Sequence, residues 1–342
     1  MRRIQKLGLA ASVMVATAGI SVGSVSAASR PLTMVQWQAA IGQVPAVGFG
    51  CFHASFPSLV WHTATCVAAP ERPLAPASPS SKGAPDTVGN GVDYSAQVSG
   101  LISKATGTFT NVSPKISEKG QIDASGPEEP NEFTLQLNTE FFTGSPACAK
   151  AGNPANCLAW QQFVYETDAN IVFMQYWLID YNATCPSGWF TYSTDCYTNS
   201  KASTLSSAAL TAKSLATVSL VGSATSGGKD GAEVITPTQA TLVTGKDTKV
   251  DLAAHWNATE WGVFGDGGGG EAFFGKKNTL EAVTTLVATS SSAPTCVQAG
   301  FTGETNNLTL AATPALGSVS SPTLGSKQTD GTAGTASCAV AA

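Results

Sequence analysis

Charge is scarce in this chain of 342 residues: only 12% are Asp, Glu, Lys or Arg, and the acids outnumber the bases 23 to 18. So few cations leave no electrostatic footprint for nucleic acid or an anionic bilayer, and neither is expected as a partner. Histidine is rarer still. His53, His62 and His255 form no H-x-x-x-H pair and no C-x-x-C occurs, so nothing carries zinc-ligand spacing. The absence of G-x-S-x-G removes the nucleophile-elbow serine hydrolases. Beyond Val22 no apolar run approaches the roughly 20 residues of a membrane helix. One stretch, from Gly270 to Lys277, imitates a phosphate loop, but Lys277 stands where a Ser or Thr should meet magnesium. No metal or cofactor is expected.

What is present points outward from the cell. Arg2, Arg3 and Lys6 precede an apolar stretch from Leu7 to about Val22, and Val25-Ser26-Ala27 closes it as a small-residue cleavage site. Residues 1–28 therefore read as a signal peptide, and a secreted protein is expected, extracellular or periplasmic. Losing those cations makes the formal balance of −5 more negative still. Eight cysteines in an exported chain read as a disulfide framework. Proximity suggests Cys51–Cys66, Cys148–Cys157, Cys185–Cys196 and Cys296–Cys338 among the 105 connectivities that eight cysteines allow.

Composition divides the remainder. Residues 29–66 hold the first two cysteines and suggest a small disulfide unit or pro-region. Residues 67–86, rich in Pro, Ala and Ser, read as an extended linker without a core. Residues 87–342 carry short alternating runs of Thr, Val, Phe, Tyr and Trp punctuated by Gly, Pro and Asn. The Ser and Thr content of residues 200–215 argues against a helix there. The expected fold is all-β: a two-sheet antiparallel β-sandwich, jelly-roll or concanavalin-like, with long disulfide-stapled loops, acting as a monomer.

Three stretches could carry chemistry. Read as a strand, residues 133–140 put Phe133, Leu135 and Leu137 on one face and Thr134, Gln136, Asn138 and Glu140 on the other. The polar set suits a cleft floor or an ordinary solvated face. Residues 171–179 are apolar on both faces apart from Gln175, as a doubly covered central strand would be. Glu260 sits among apolar and aromatic neighbours ahead of the glycine run 267–270, and burial there would raise its pKa into the range useful for acid–base work. Glu260 and Glu271 could also be read as the paired carboxylates of a glycosidase. Asn111, Asn182, Asn257 and Asn307 open N-x-S/T sequons.

At these residues the chain resembles the glutamic peptidases of the eqolisin type. Gly107-Thr108-Phe109-Thr110-Asn111-Val112 is similar to that family's opening G-T-F-x-V run. Leu135-Gln136-Leu137 is similar to its glutamine strand, Ala159-Trp160-Gln161-Gln162-Phe163 to its A-W-Y-E-W segment, and Ala258-Thr259-Glu260-Trp261 to its A-E-W strand. The resemblance implies a secreted β-sandwich endopeptidase acting at acid pH. Gln136 and Glu260 would be its catalytic pair, Trp160, Gln162 and Trp261 would lie along the substrate, and the pro-region would occupy residues 29–85. Gln162 stands where that family has a glutamate. A weaker similarity links Phe173 to Trp177 and Cys196-Tyr197 with neprosin-type peptidases, with Cys157 in place of their glutamate. The partner would be a polypeptide substrate. The alternative is a non-catalytic sandwich that binds glycans or a surface partner through exposed aromatics.

Overall fold

The computed structural model describes residues 32–45, 48–77, 87–123, 125–331 and 335–342; the expected signal peptide lies outside them. Strand accounts for 46% of the structure and helix for 8%, and four disulfides form in the pairing suggested by proximity. No helix among the described residues is long and apolar enough to cross a membrane.

Two large antiparallel sheets make an all-β sandwich. The front sheet runs Phe190–Tyr192, Asp195–Asn199, Ile171–Ile179, Leu158–Glu166, Thr134–Thr139, Ala258–Phe264, Tyr94–Gln97 and Thr295–Gln298. The back sheet runs from His62–Ala64 and Gly50–Ser55 through Gln239–Lys246, Lys229–Ile235, Ser219–Ala224, Ile102–Thr110 and Thr279–Ala288 to Thr323–Thr329 and Thr309–Ala311. A small third sheet holds Glu271–Phe274, which pairs in parallel with Thr305–Asn306.

Period-2 alternation builds the core between the sheets. Leu135, Leu137, Phe163, Tyr165, Trp261 and Val263 point inward from the front sheet and meet Ala105, Phe109, Leu220 and Ala232 from the back. Two glycines of the back sheet make room for rings. A Cβ on Gly107 would lie 2.2 Å from the Trp261 ring, and one on Gly222 would lie 2.5 Å from Phe163. Trp261 also packs on Phe109, with ring centroids 4.8 Å apart and the planes tilted by 34°, and donates its Nε1–H to Thr108 O at 3.0 Å. Gly107→Ala is therefore expected to destabilise by about 1–3 kcal/mol through overpacking, read as a shift of the denaturant midpoint at unchanged slope. A neutral effect would show that the ring seat is loose.

Two expected boundaries need correction. The described residues of the stretch 29–66, namely 32–45 and 48–66, do not form a separate unit. Gly50–Ser55 pairs along its length with Gln239–Lys246, and Cys51 joins the main core. The Met34–Ile41 helix, started by a Thr33–Gln36 capping box, lays Trp37 and Ile41 against Val221, Ile235 and Ala240 on the outer side of the back sheet. Residues 32–342 form one compact unit. Nor are residues 67–77 a free linker, since Val67–Ala68 pairs with Lys201–Thr204 and the chain then crosses the front sheet. A polar, Pro-rich segment can be ordered when the sheet below supplies partners for its backbone, and here it does.

Candidate active site

The outward face of the front sheet carries a polar row fixed by strand register. Asn199 stands opposite Gln175, Gln175 opposite Gln162, Gln162 opposite Asn138, and Asn138 opposite Glu260. One side of the row is aromatic, with Trp160 opposite Trp177 and Trp177 opposite Tyr197. On the other side Gln136 faces Val164 and Gly262, and Val164 faces Phe173. This is the face assigned to Gln136 and Asn138 from alternation, but it is not a solvated one. Gln136, Asn138, Gln162, Gln175 and Glu260 are each completely buried.

Their amides form one network. Asn138 Nδ2 donates to Glu260 Oε2 at 3.0 Å and to Gln136 Oε1 at 3.2 Å, and Gln162 Nε2 donates to the same Gln136 oxygen at 3.2 Å. Gln136 Nε2 donates away from Glu260, to Thr134 Oγ1 at 2.8 Å. Gln136 and Glu260 thus share a face without touching, and the amide group beside the acid is that of Asn138. Alternation alone places Asn138 on this face, but its contact with Glu260 depends on the register between Thr134–Thr139 and Ala258–Phe264.

Glu260 is held from above by residues 301 and 302, whose backbone N–H groups donate to Oε2 at 2.8 and 3.2 Å. Its other oxygen, Oε1, accepts no hydrogen bond from the described residues. Burial pushes the Glu260 pKa up to about 7 against the three donors that favour the carboxylate, and the nearby Glu304 charge adds to the rise. Two further acids, missed in the sequence for want of any local signal, belong to this cluster. Asp93 is fully buried, and desolvation followed by the Glu260 charge raises it well above the usual carboxylate range. Glu304, also fully buried and pushed up to about 7 by desolvation, accepts from Thr302 Oγ1 and from the backbone N–H groups of Ala75 and Gly269.

Residues 70–77 lie over this row as an extended peptide, and most of its backbone groups find partners. Asn199 Nδ2 donates to Pro70 O at 2.6 Å, Tyr197 Oη to Glu71 O at 3.0 Å and Gln175 Nε2 to Arg72 O at 2.9 Å. Gln175 Oε1 accepts from Leu74 N at 2.7 Å. Gly268 N donates to Pro73 O and Gly303 N to Ala75 O, while Ala77 N donates to Phe301 O. The glycine run 267–270 packs against this strap. Gly267, Gly268 and Gly269 all have positive φ, and Gly267 allows the Arg72 stem to approach where a Cβ would be 2.9 Å away. Beyond Asn199 the row opens into a cavity of about 710 Å³ bordered by Glu71, Phe190, Lys246 and Lys249.

The remaining expectations divide. Trp160 is on the site's face, but its ring is fully buried against Trp177 and Phe141, with Nε1 donating to Thr139 O at 2.9 Å. Trp261 is not on this face at all. It alternates with Glu260 along one strand and so must point into the sandwich, where it meets Gly107 and Phe109. Glu271 belongs to the third sheet and is only partly buried, whereas Glu260 is fully buried in the front sheet. No family model matches the chain, and neither a curated protein nor a solved structure matches it. The fold and site define an all-β sandwich with a buried acid–amide row under an extended strap of its own chain.

Proposed function

We propose that this is an exported polypeptide hydrolase of the acid range, with Glu260 as the group that activates water. The observation that carries the reading is the seating of residues 70–77. A stretch of ordinary polypeptide lies extended over the acid–amide row, bound mainly through its backbone. Backbone-directed binding is what a site for many different peptide substrates requires. Beside the row, Trp160, Trp177 and Tyr197 are packed away, which leaves a glycan Tyr192 and the edge of Phe190.

In hydrolysis the Glu260 carboxylate takes a proton from water as the water oxygen attacks the peptide carbonyl carbon. It then returns that proton to the leaving amine. Asn138 is the amide next to the acid, and it is our assignment for the donor to the developing oxyanion. Once Glu260 holds the proton it is a weaker acceptor, which frees the Asn138 N–H for that oxygen. Gln136 is a positioning residue that orients Asn138 through its Oε1. Water reaches Glu260 only when the strap and residues 301–304 lift, and lifting also relieves the desolvation that holds its pKa near 7. The uncovered acid then titrates closer to an ordinary glutamate and supplies a carboxylate in mildly acid solution.

The test is cleavage of denatured casein by the purified full chain across acid pH, beside the strap-weakened double variant Arg72→Ala/Leu74→Ala. Cleavage that is faster in the double variant supports the reading. Absence of cleavage by both proteins at every pH overturns it.

A further inference from the structure

The strap is bound through its backbone, yet two of its side chains enter seats of opposite character. Leu74 is 2% exposed and packs against Val164, Ile171, Phe173 and Ala202, which form a small apolar cluster of their own on the outward side of the front sheet. Arg72, two residues earlier, reaches a group of carboxylates: Glu166, with Asp168 at 3.4 Å and Asp266 at 3.6 Å. Glu166 and Asp266 are almost wholly buried. Of the residues between and after, Ala75 only borders the aromatic cluster of Trp160, Trp177 and Tyr197, and Pro73 and Pro76 belong to no such cluster.

We propose that the cleft selects extended polypeptides with a basic residue two positions before an aliphatic one. Val164, Ile171, Phe173 and Ala202 take the aliphatic side chain, and Glu166, Asp168 and Asp266 take the cation. The inference rests on the reading of this cleft as a polypeptide site, and it names the substrate class that the site prefers. Arg72 is the cation that pairs with the buried acids Glu166 and Asp266, and the half-exposed Asp168 stands at the edge of the same seat. Replacing that cation by a neutral residue leaves buried carboxylates without a partner, which penalises the wrong peptide as well as rewarding the right one. The apolar seat discriminates less strongly, since a missing side chain loses its burial while a charged one must also be desolvated. Between the two seats Gln175 binds Arg72 O and Leu74 N with its two amide atoms, so it fixes the spacing of the two side chains.

The test uses the full chain and a labelled synthetic peptide with the sequence of residues 70–77. Fluorescence anisotropy is expected to show peptide binding to the folded Arg72→Ala/Leu74→Ala variant and at least tenfold weaker binding to wild type, whose own strap competes. Leu74→Asp or Arg72→Glu made within the peptide is expected to weaken binding at least tenfold. Equal binding of all three peptides, or none to the folded variant, overturns the assignment. Should the double variant fail to fold by circular dichroism, Leu74→Ala alone provides the opened cleft, and the same comparison of peptides decides. Selective binding without hydrolysis would keep these seats and remove the hydrolytic reading. Casein cleavage with no preference among the peptides would do the reverse.

Discussion

Glu260→Gln is expected to lower casein hydrolysis by about a thousandfold or more, while Asn138→Ala lowers it by roughly a hundredfold to a thousandfold and Gln136→Ala by only about tenfold. The order follows from contact. Glu260 exchanges protons with the reacting groups and its amide counterpart cannot. Asn138 touches Glu260 at 3.0 Å, whereas Gln136 reaches it only through Asn138. The glutamine variant keeps a carbonyl oxygen for the donors of Asn138, Phe301 and Thr302, but it places an NH2 group where Oε1 has no acceptor. That unsatisfied donor costs about 1–3 kcal/mol of stability, so the variant's melting temperature must be recorded beside its rate. The split between kcat and KM separates the roles further. Loss of a group acting in the transition state lowers kcat, and loss of a positioning residue also moves the pH profile of the acid it orients. Equal losses for Gln136→Ala and Asn138→Ala would restore a direct Gln136–Glu260 pair. Unchanged hydrolysis by Glu260→Gln would remove the acid from the mechanism.

The alternation in residues 133–140 was legible because strand geometry has a period of exactly two positions, and Leu135 and Leu137 point into the core as it requires. The doubly buried Ile171–Ile179 strand was legible for the same reason, since both of its faces lack charge. Which polar groups meet across strands was not. Asn138 lies beside Glu260 because of a register that no local pattern states, and a shift of one residue would send either side chain to the other face. Trp261 shows the opposite failure. The family resemblance implied a substrate-facing role for it, while the same alternation that places Glu260 outward turns Trp261 inward. The strap escaped reading altogether. Residues 67–77 have the composition of a linker, and what orders them is distant: amides at Asn199 and Gln175, a carboxyl at Glu304 and an apolar seat for one leucine.

The pH dependence of stability provides the second large effect. Burial raises the pKa of Glu118 to about 9, of Glu233 to about 8 and of Glu140, Glu260 and Glu304 to about 7, and it moves Asp93, Asp230 and Asp266 well upward too. Few cations answer them. Arg72 serves Asp266 and Glu166, and Lys104 lies near Glu233, but Asp93, Glu118 and Asp230 face other acids, namely Glu260, Glu132 and Asp247. A folded pKa above the unfolded one means that the native protein holds a proton that the unfolded chain has lost. The stabilisation is complete below the unfolded values near 4, declines as pH climbs from there, and is gone once pH has passed the folded values of about 7 to 9. Each such proton contributes a slope of about 1.4 kcal/mol per pH unit within that window. For a domain of this size about 1 kcal/mol corresponds to 2–4 °C in Tm. Even two or three retained protons therefore predict that Tm falls by 10 °C or more between about pH 4 and pH 8. Calorimetry across that range checks it, and a Tm that stays level or rises would mean that these carboxyls are ionised in the native state. The hydrolytic reading draws on the same physics: acid keeps the scaffold protonated and intact while the uncovered Glu260, relieved of its burial, retains enough carboxylate to act on water.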